Sequence, residues 1–310
     1  MVNDPGIDSE DLTHLTVSAN GLQFHVVEAG KGDKLALCLH GFPELWISWR
    51  HQIPFLKDSG WRVWAPDLRG YGESDAPSDV SDYSVETLME DIGALIDASG
   101  AKEVMLIAHD WGAILAWLFA TRRVRPLVRL VIMNVPHPGV LSAKRPGWRQ
   151  ALRSWYIFFF QLPRLPEWAL TRNGGALVAE AFKGSACHPE RFPEEILSVY
   201  QQAALRPGRA RGMVNYYRAL VRGGGARRQA LIGYPQIEVP TLFLWGEQDI
   251  ALTKETTLGT DELVPDLTLR YLPDASHWVQ QDQPEVVNEM LRCWLEGEPV
   301  PEADDSRFLD

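Results

Sequence analysis

The stretch Val104-Met105-Leu106-Ile107-Ala108-His109-Asp110-Trp111-Gly112-Ala113-Ile114-Leu115-Ala116 decides how this chain folds. Its first five residues are all apolar, as in a central parallel strand buried on both faces, and Gly112 to Ala120 has the composition of a helix. Only His109, Asp110 and Trp111 lie between them, so the connection is a sharp turn. Ala108 and Gly112 at its shoulders are small because larger side chains there would strike neighbouring backbone, and the tightness lifts the central side chain clear of the sheet. That side chain is a carboxylate. An Asp at a strand end is also a common helix N-cap, so its chemistry depends on what else the chain brings to the same edge.

Working outward, Leu15 to Glu28 reads as two strands around an Asn20-Gly21 turn. Leu35 to Leu39 is a buried strand that runs into His40-Gly41-Phe42-Pro43-Glu44, where glycine and proline force a shaped loop with free amides. Trp61 to Ala65 is a strand followed by the glycine-rich loop Pro66 to Asp75, and Val85 to Ala98 has helical apolar spacing. Further strands are expected at Leu127 to Met133, Thr241 to Trp245 and Leu267 to Leu272. Strands alternating with helices predict an α/β fold, a mostly parallel sheet flanked by helices. From Pro138 to about Gly233 that rhythm is replaced by helical patterns broken by prolines and by Gly223-Gly224-Gly225. The expected organisation is therefore an α/β core at residues 1–137 and 232–310, with a helical lid inserted at 138–231. The acidic tail after Gly297 is expected to fray.

Composition narrows the partners. A length of 310 residues accommodates one large domain with an insertion. With 45% hydrophobic and 23% charged residues, it is an ordinary globular composition. The net charge of -11 argues against nucleic acid, which requires clustered cations. Arginines do gather at Arg122, Arg123, Arg125 and Arg129 and again from Arg206 to Arg228, where solvated helix faces or helix C-termini are the expected explanation. Cys38, Cys187 and Cys293 are too scattered for a disulfide framework or a metal site and are expected to be reduced. The opening MVNDPGIDSEDLTHLTV is acidic and polar, unlike a signal peptide, and no apolar run reaches about 18 residues. These features predict a cytoplasmic protein with no membrane span. No HExxH or phosphate-loop pattern occurs, so neither metal nor other cofactor is expected.

The partners of Asp110 lie late in the chain. Gly246-Glu247-Gln248-Asp249 follows one strand and Ser276-His277-Trp278 follows the last. Asp249 could be a turn residue and His277 a satisfied loop histidine, if each stood alone. Together they give nucleophile, acid and histidine in the order this type of fold uses, each just after the C-terminal end of a strand.

On these motifs the chain resembles the α/β-hydrolase superfamily from about Leu22 to Leu295, and within it the epoxide hydrolases. His40-Gly41-Phe42-Pro43 resembles the family's oxyanion loop, Asp67-Leu68-Arg69-Gly70-Tyr71-Gly72 its glycine-rich loop, and His109-Asp110-Trp111-Gly112 its aspartate nucleophile motif. Ser154-Trp155-Tyr156-Ile157-Phe158-Phe159-Phe160-Gln161 and Asn215-Tyr216-Tyr217-Arg218 resemble the two lid segments that carry tyrosines for the epoxide oxygen. Tyr217 is the better candidate for the second tyrosine, and the choice between it and Tyr216 stays open in the sequence. The resemblance also leaves the Phe42-Pro43 bond open to a cis form.

What it implies is conversion of an apolar epoxide and water to a vicinal diol, a detoxification-type hydrolysis. Asp110 is the nucleophile, His277 the general base, Asp249 the orienting acid, and Tyr156 and Tyr217 the oxygen donors. Amides of Phe42 and Trp111 would form the oxyanion hole, and His40, Pro43, Phe158 and Phe159 are expected to wall the substrate pocket. A haloalkane or haloacetate dehalogenase shares the Asp-His-Asp set and is the alternative, although Phe42 stands where haloalkane enzymes often have asparagine. A non-catalytic receptor on the same fold is the second alternative. Oligomeric state, including a homodimer, stays open.

Overall fold

The computed structural model describes residues 12–143, 148–305 and 308. Most of the N-terminal stretch read above as lacking a leader lies outside the described residues. The sheet begins with a hairpin, β1 (Thr13–Ala19) and β2 (Leu22–Ala29), closed by Asn20 and Gly21 with φ of 43° and 75°. Two successive positive φ values give the turn a twist that matches its strands.

Then follow β3 (Lys34–Leu39), helix α1 (Gln52–Asp58), β4 (Arg62–Pro66) and α2 (Val85–Ser99). The Ser84 hydroxyl accepts from the Thr87 amide to cap α2. Next are β5 (Glu103–His109), α3 (Asp110–Arg122) and β6 (Arg129–Met133). After the insertion the core resumes with β7 (Thr241–Gly246), β8 (Leu267–Leu272), and two closing helices at Val279–Asp282 and Pro284–Glu296.

The strand order is β1-β2-β4-β3-β5-β6-β7-β8. The pairs β1–β2 and β2–β4 are antiparallel, and every pair from β4 to β8 is parallel. The chain returns across β3, placing β4 on one side of it and β5 on the other. At such a switch point the loops leaving the strands' carboxyl ends diverge and leave a crevice. Register sets those ends level: Leu39 pairs with Ala108, His109 with Met133, Met133 with Leu244, and Gly246 with Leu272. Strand β5 at the centre and helix α3 behind it are buried almost throughout, as their unbroken apolar sequences require.

Between β6 and β7, the described residues form seven α-helices. They are α4 (Pro138–Ala143), α5 (Trp148–Arg153), α6 (Trp155–Phe159), α7 (Leu165–Lys183, bent open at Arg172–Gly175), α8 (Glu194–Leu205), α9 (Arg209–Arg222) and α10 (Gly225–Ile232). Among the described residues no helix is long and apolar enough to cross a membrane, and the three cysteines are free thiols.

Two expectations need correction. Several arginines read as solvated faces are structural. Arg218 is buried, pairs with Glu167 at 2.5 Å, and donates to the carbonyls of Phe160 and Leu162, so it ties α9 to the turn before α7. Arg122 donates to Gln229 and to the Gly233 carbonyl. Nor does the described part of the tail fray. Arg270 on β8 donates to the carbonyls of Val300 and Pro301, and both residues are buried.

Helix α9 reaches the crevice because it crosses the loop after β4 at nearly bare backbone. A Cβ added to Gly212 would lie 2.8 Å from Gly70 Cα and 3.0 Å from the Tyr83 hydroxyl. The Tyr216 hydroxyl donates to the Arg69 carbonyl on the same loop, and the Arg69 side chain is held by Asp91 at 2.6 Å. Gly212→Ala is therefore expected to lift α9, costing about 1–3 kcal/mol of stability and displacing the residues it presents to the crevice. Urea unfolding gives the first quantity. A steady-state rate that falls more than the stability change explains would report the second.

Candidate active site

Asp110 stands at the junction of β5 and α3 with φ +46°. Aspartate tolerates the left-handed region better than most residues, yet the conformation costs on the order of 1–3 kcal/mol and must be imposed by its surroundings. Gly112 is what permits it: a Cβ there would lie 2.2 Å from the Leu39 carbonyl oxygen. The Gly112 amide instead donates to the His40 carbonyl at 3.0 Å, binding the elbow to the loop after β3. That loop contains the cis Phe42-Pro43 bond. Its Phe42 amide donates to Asp110 Oδ1 at 2.6 Å.

The three residues read as a set meet at one point. His277 Nε2 lies 3.5 Å from Asp110 Oδ2, and its Nδ1 is hydrogen-bonded to Asp249 Oδ2 at 2.7 Å. Asp249 is saturated with donors. Its Oδ1 accepts from the amides of Ala251 and Leu252, and its Oδ2 accepts from Asn134 at 2.9 Å as well as from His277.

Burial alone would push both carboxyls up. For Asp110 the hydrogen bond and charge of His277, with the Phe42 amide, reverse this and hold it below the ordinary 3.8. For Asp249 the charge and hydrogen bond of His277, with Asn134 and the Leu252 amide, do the same. Burial would likewise depress His277, but the Asp249 charge and the bonds to both carboxylates raise it well above 6.5. The free site is therefore an imidazolium between two carboxylates.

Beneath it lies a second buried layer. His109 Nε2 contacts the His277 carbonyl at 2.7 Å, so this nitrogen must donate, and its Nδ1 is hydrogen-bonded to Glu44 Oε2 at 2.6 Å. Glu44 also accepts from the Gly41 amide and from Gln280 and Gln281. Asn134, one residue beyond β6 with φ +47°, donates to Asp249 and to the Ser276 carbonyl and accepts from the Gly246 amide. Sequence reading assigned Asn134, His109 and Glu44 no role. A lone asparagine after a strand was the only signal for Asn134, and it is a weak one.

A cavity of about 370 Å³ opens on Asp110. Trp111, Tyr156 and Tyr217 surround its base, and Ile114, Leu118, Val135, Leu141, Ile157, Leu220 and Leu252 make much of its wall. The rings of Tyr156 and Tyr217 are 5.9 Å apart, and Trp111 packs edge-on to Tyr217 at 5.0 Å. Burial, then the nearby Asp110 charge, pushes both phenols up, so they stay protonated and can only donate to an incoming oxygen. Tyr216 is not part of the cavity wall; its ring packs against Tyr71, Tyr83 and Trp111.

The remaining pocket expectations do not hold. Phe158 is 73% exposed on the far side of α6, and Phe159 packs on Trp155 and Phe160. The period of α6 turns Tyr156 and Ile157 inward, which leaves Phe158 outside. His40 is fully buried as a strut that accepts from the Leu68 amide, and Pro43 is buried in the loop away from the cavity lining.

Residues 36–284 match the alpha/beta hydrolase fold family. The chain is 38% identical over 285 residues to the AB hydrolase superfamily protein YfhM of Bacillus subtilis (strain 168), covering 91% of this chain and 97% of that protein. It is 36% identical over 306 residues to epoxide hydrolase 4 of Mus musculus, covering 96% and 82% respectively. The crystal structure of epoxide hydrolase VrEH1 from Vigna radiata superposes with a TM-score of 0.80 at 32% identity, covering 94% of this chain and 99% of that one.

The ionisation pattern has a measurable consequence. His277, raised above 6.5, stabilises the fold fully below that pH and loses its contribution as pH rises through the folded value. Asp110 and Asp249, depressed below 3.8, contribute above it and lose their contribution as pH falls through their folded values. Their joint contribution is therefore greatest between about pH 4 and 6.5. In ¹⁵N NMR of the free protein both His277 ring nitrogens should stay protonated at pH 7, and Asp110→Asn should lower the titration midpoint. A midpoint at 6.5 in the wild type would contradict this.

Proposed function

The chain belongs to the α/β-hydrolase fold family, among its epoxide hydrolases, and we propose that it hydrates an apolar epoxide to a vicinal diol through an ester on Asp110. The observation that carries this reading is the convergence of an ionised, amide-held carboxylate, an acid-backed histidine and two protonated phenols on one apolar cavity.

Asp110 needs no base, since it is already anionic. Its Oδ2 attacks a ring carbon, forming the ester C–O bond as the ring C–O bond breaks. The electron pair goes to the departing oxygen, which Tyr156 and Tyr217 hold by hydrogen bonds. Esterification removes the Asp110 charge, one of the two anions that keep His277 protonated. His277 therefore loses its proton in this step, and that proton balances the one the alkoxide takes up.

Neutral His277, with Nδ1–H fixed on Asp249, is then a base at Nε2. It takes a proton from water as the water oxygen adds to the Asp110 carboxyl carbon. Negative charge grows on the oxygen bonded to the Phe42 amide, with the Trp111 amide as the second donor of the oxyanion hole. Collapse breaks the ester bond, the new acid passes its proton to the leaving alkoxide, and the diol departs. Asp110 is again a carboxylate and His277 an imidazolium, so each turnover closes on the starting charge state. One water oxygen remains in Asp110. The helices of residues 138–231 act as the cap, supplying the donors and excluding bulk water.

The test separates the half-reactions. His277→Gln should accumulate an Asp110 peptide heavier by one substrate mass when incubated with excess styrene oxide, while Asp110→Ala should neither turn over nor gain mass. An unmodified Asp110 peptide in the His277 variant would sink the scheme. Tyr156→Phe and Tyr217→Phe should each slow single-turnover ester formation by roughly 100-fold or more. An unchanged rate would remove that tyrosine from the reaction.

A further inference from the structure

The cavity reaches Asp110 from one flank. Val85 of α2, Trp111, Ile114 and Leu118 of α3, and Ala226 of α10 belong to its wall. Helix α10 is fastened on that flank by Arg228 and Gln229, which donate to Glu86 of α2. The opposite flank, beyond His277, is filled by side chains. Trp278 packs on the Phe182 ring of α7 at 4.4 Å, and Phe182 stacks on Tyr200 of α8 at 4.4 Å and on Phe192 at 5.5 Å. All four are buried, and the Tyr200 hydroxyl donates to Gln281, which anchors the stack over the helix at Val279–Asp282. Phe160, also buried, packs on Phe42 at 5.2 Å and on Tyr217 at 4.6 Å. None of these packed rings except Tyr217 belongs to the cavity wall.

We propose that the substrates are terminal epoxides with one alkyl or aryl substituent, and that Phe160 and the stack behind Trp278 reject epoxides trans-substituted on both ring carbons. This substrate class rests on the epoxide reading above. With the ring oxygen on Tyr156 and Tyr217 and one ring carbon on Asp110 Oδ2, the two substituents of a trans epoxide leave in opposite directions. One enters the cavity. The other meets close-packed rings, where even a single added methyl group forces neighbours to shift. A terminal epoxide presents only hydrogens on that flank. Volume is not what excludes the larger substrate, because about 370 Å³ lies within the ordinary span of ligand pockets, roughly 300–1,000 Å³. Direction is.

The wall also sets the polarity of the one substituent admitted. Gln150 donates to the Ala251 carbonyl and accepts from the Thr253 amide, and Gln229 accepts from Arg122 and donates to Glu86. Both side chains are buried and committed to the protein. The phenols of Tyr156 and Tyr217 serve the ring oxygen, so the rest of the substrate meets apolar surface and is best matched by hydrocarbon.

The experiment compares kcat/KM for styrene oxide and for trans-1-phenylpropylene oxide, which adds one methyl group on the second ring carbon. In the wild type the methylated compound should be at least about tenfold poorer. Phe160→Ala should raise the ratio of the two values, methylated over unmethylated, at least about tenfold. Intrinsic reactivity cancels in that comparison because the substrates are the same. Phe182→Val is the second variant should the first fail to fold, and the wild-type comparison needs neither. Turnover of styrene oxide with a comparable kcat/KM for the methylated compound, or a ratio that a folded variant leaves unchanged, would overturn the substrate class alone. Turnover of neither compound, with no mass gain on the Asp110 peptide of His277→Gln, would end the epoxide reading and this assignment with it.

Discussion

Two carboxylates buried against a single imidazole would each lose more in solvation than an apolar interior can return, and the shared proton is what makes the arrangement stable. Asp249 receives four donors and is thereby fixed as the permanent counter-ion. Asp110 receives the Phe42 amide at one oxygen and only a long 3.5 Å contact from His277 at the other. That inequality matters more than the presence of three matching residues. The carboxylate with more donors is the less nucleophilic, so their hydrogen bonds set the two acids apart in reactivity.

The layer below the site explains why the imidazole keeps its place. His277 sits on a loop, and loops are poor platforms for catalytic groups. Here its carbonyl is held by His109, the residue before Asp110, and its neighbour Ser276 is held by Asn134. Glu44 then draws the loop after β3 and the helix after His277 onto the same point. Loops after four different strands are fastened to one another through side chains none of which reaches the cavity.

The cap contributes in a different way. Tyr217 reaches the cavity because α9 lies on the Gly70 backbone, and Tyr156 because α5 is fastened by Arg153 and Gln150 to the acid loop. The phenols are thus positioned by contacts to the core as much as by their own helices. The same packing sends Phe158 and Trp155 outward, where both are exposed.

The sheet, the elbow at Asp110 and the meeting of Asp110, Asp249 and His277 at one edge of it were legible in the chain itself. Each rests on local constraints: apolar runs of strand length, small residues where backbone closes on backbone, and strand ends that share one edge. The resemblance of its segment favoured Tyr217 over Tyr216, and tertiary contact supplies the reason, because Tyr216 is committed to Arg69 and the tyrosine cluster around it. Tertiary structure alone decided that Asn134, His109 and Glu44 would support the site, that Phe158 would face solvent, and that Arg218 and the residues around Val300 would be packed. These outcomes depend on partners between about 30 and 240 residues away in sequence, where hydrogen-bond geometry and helix rotation are set by the fold as a whole and leave no periodic trace in the chain.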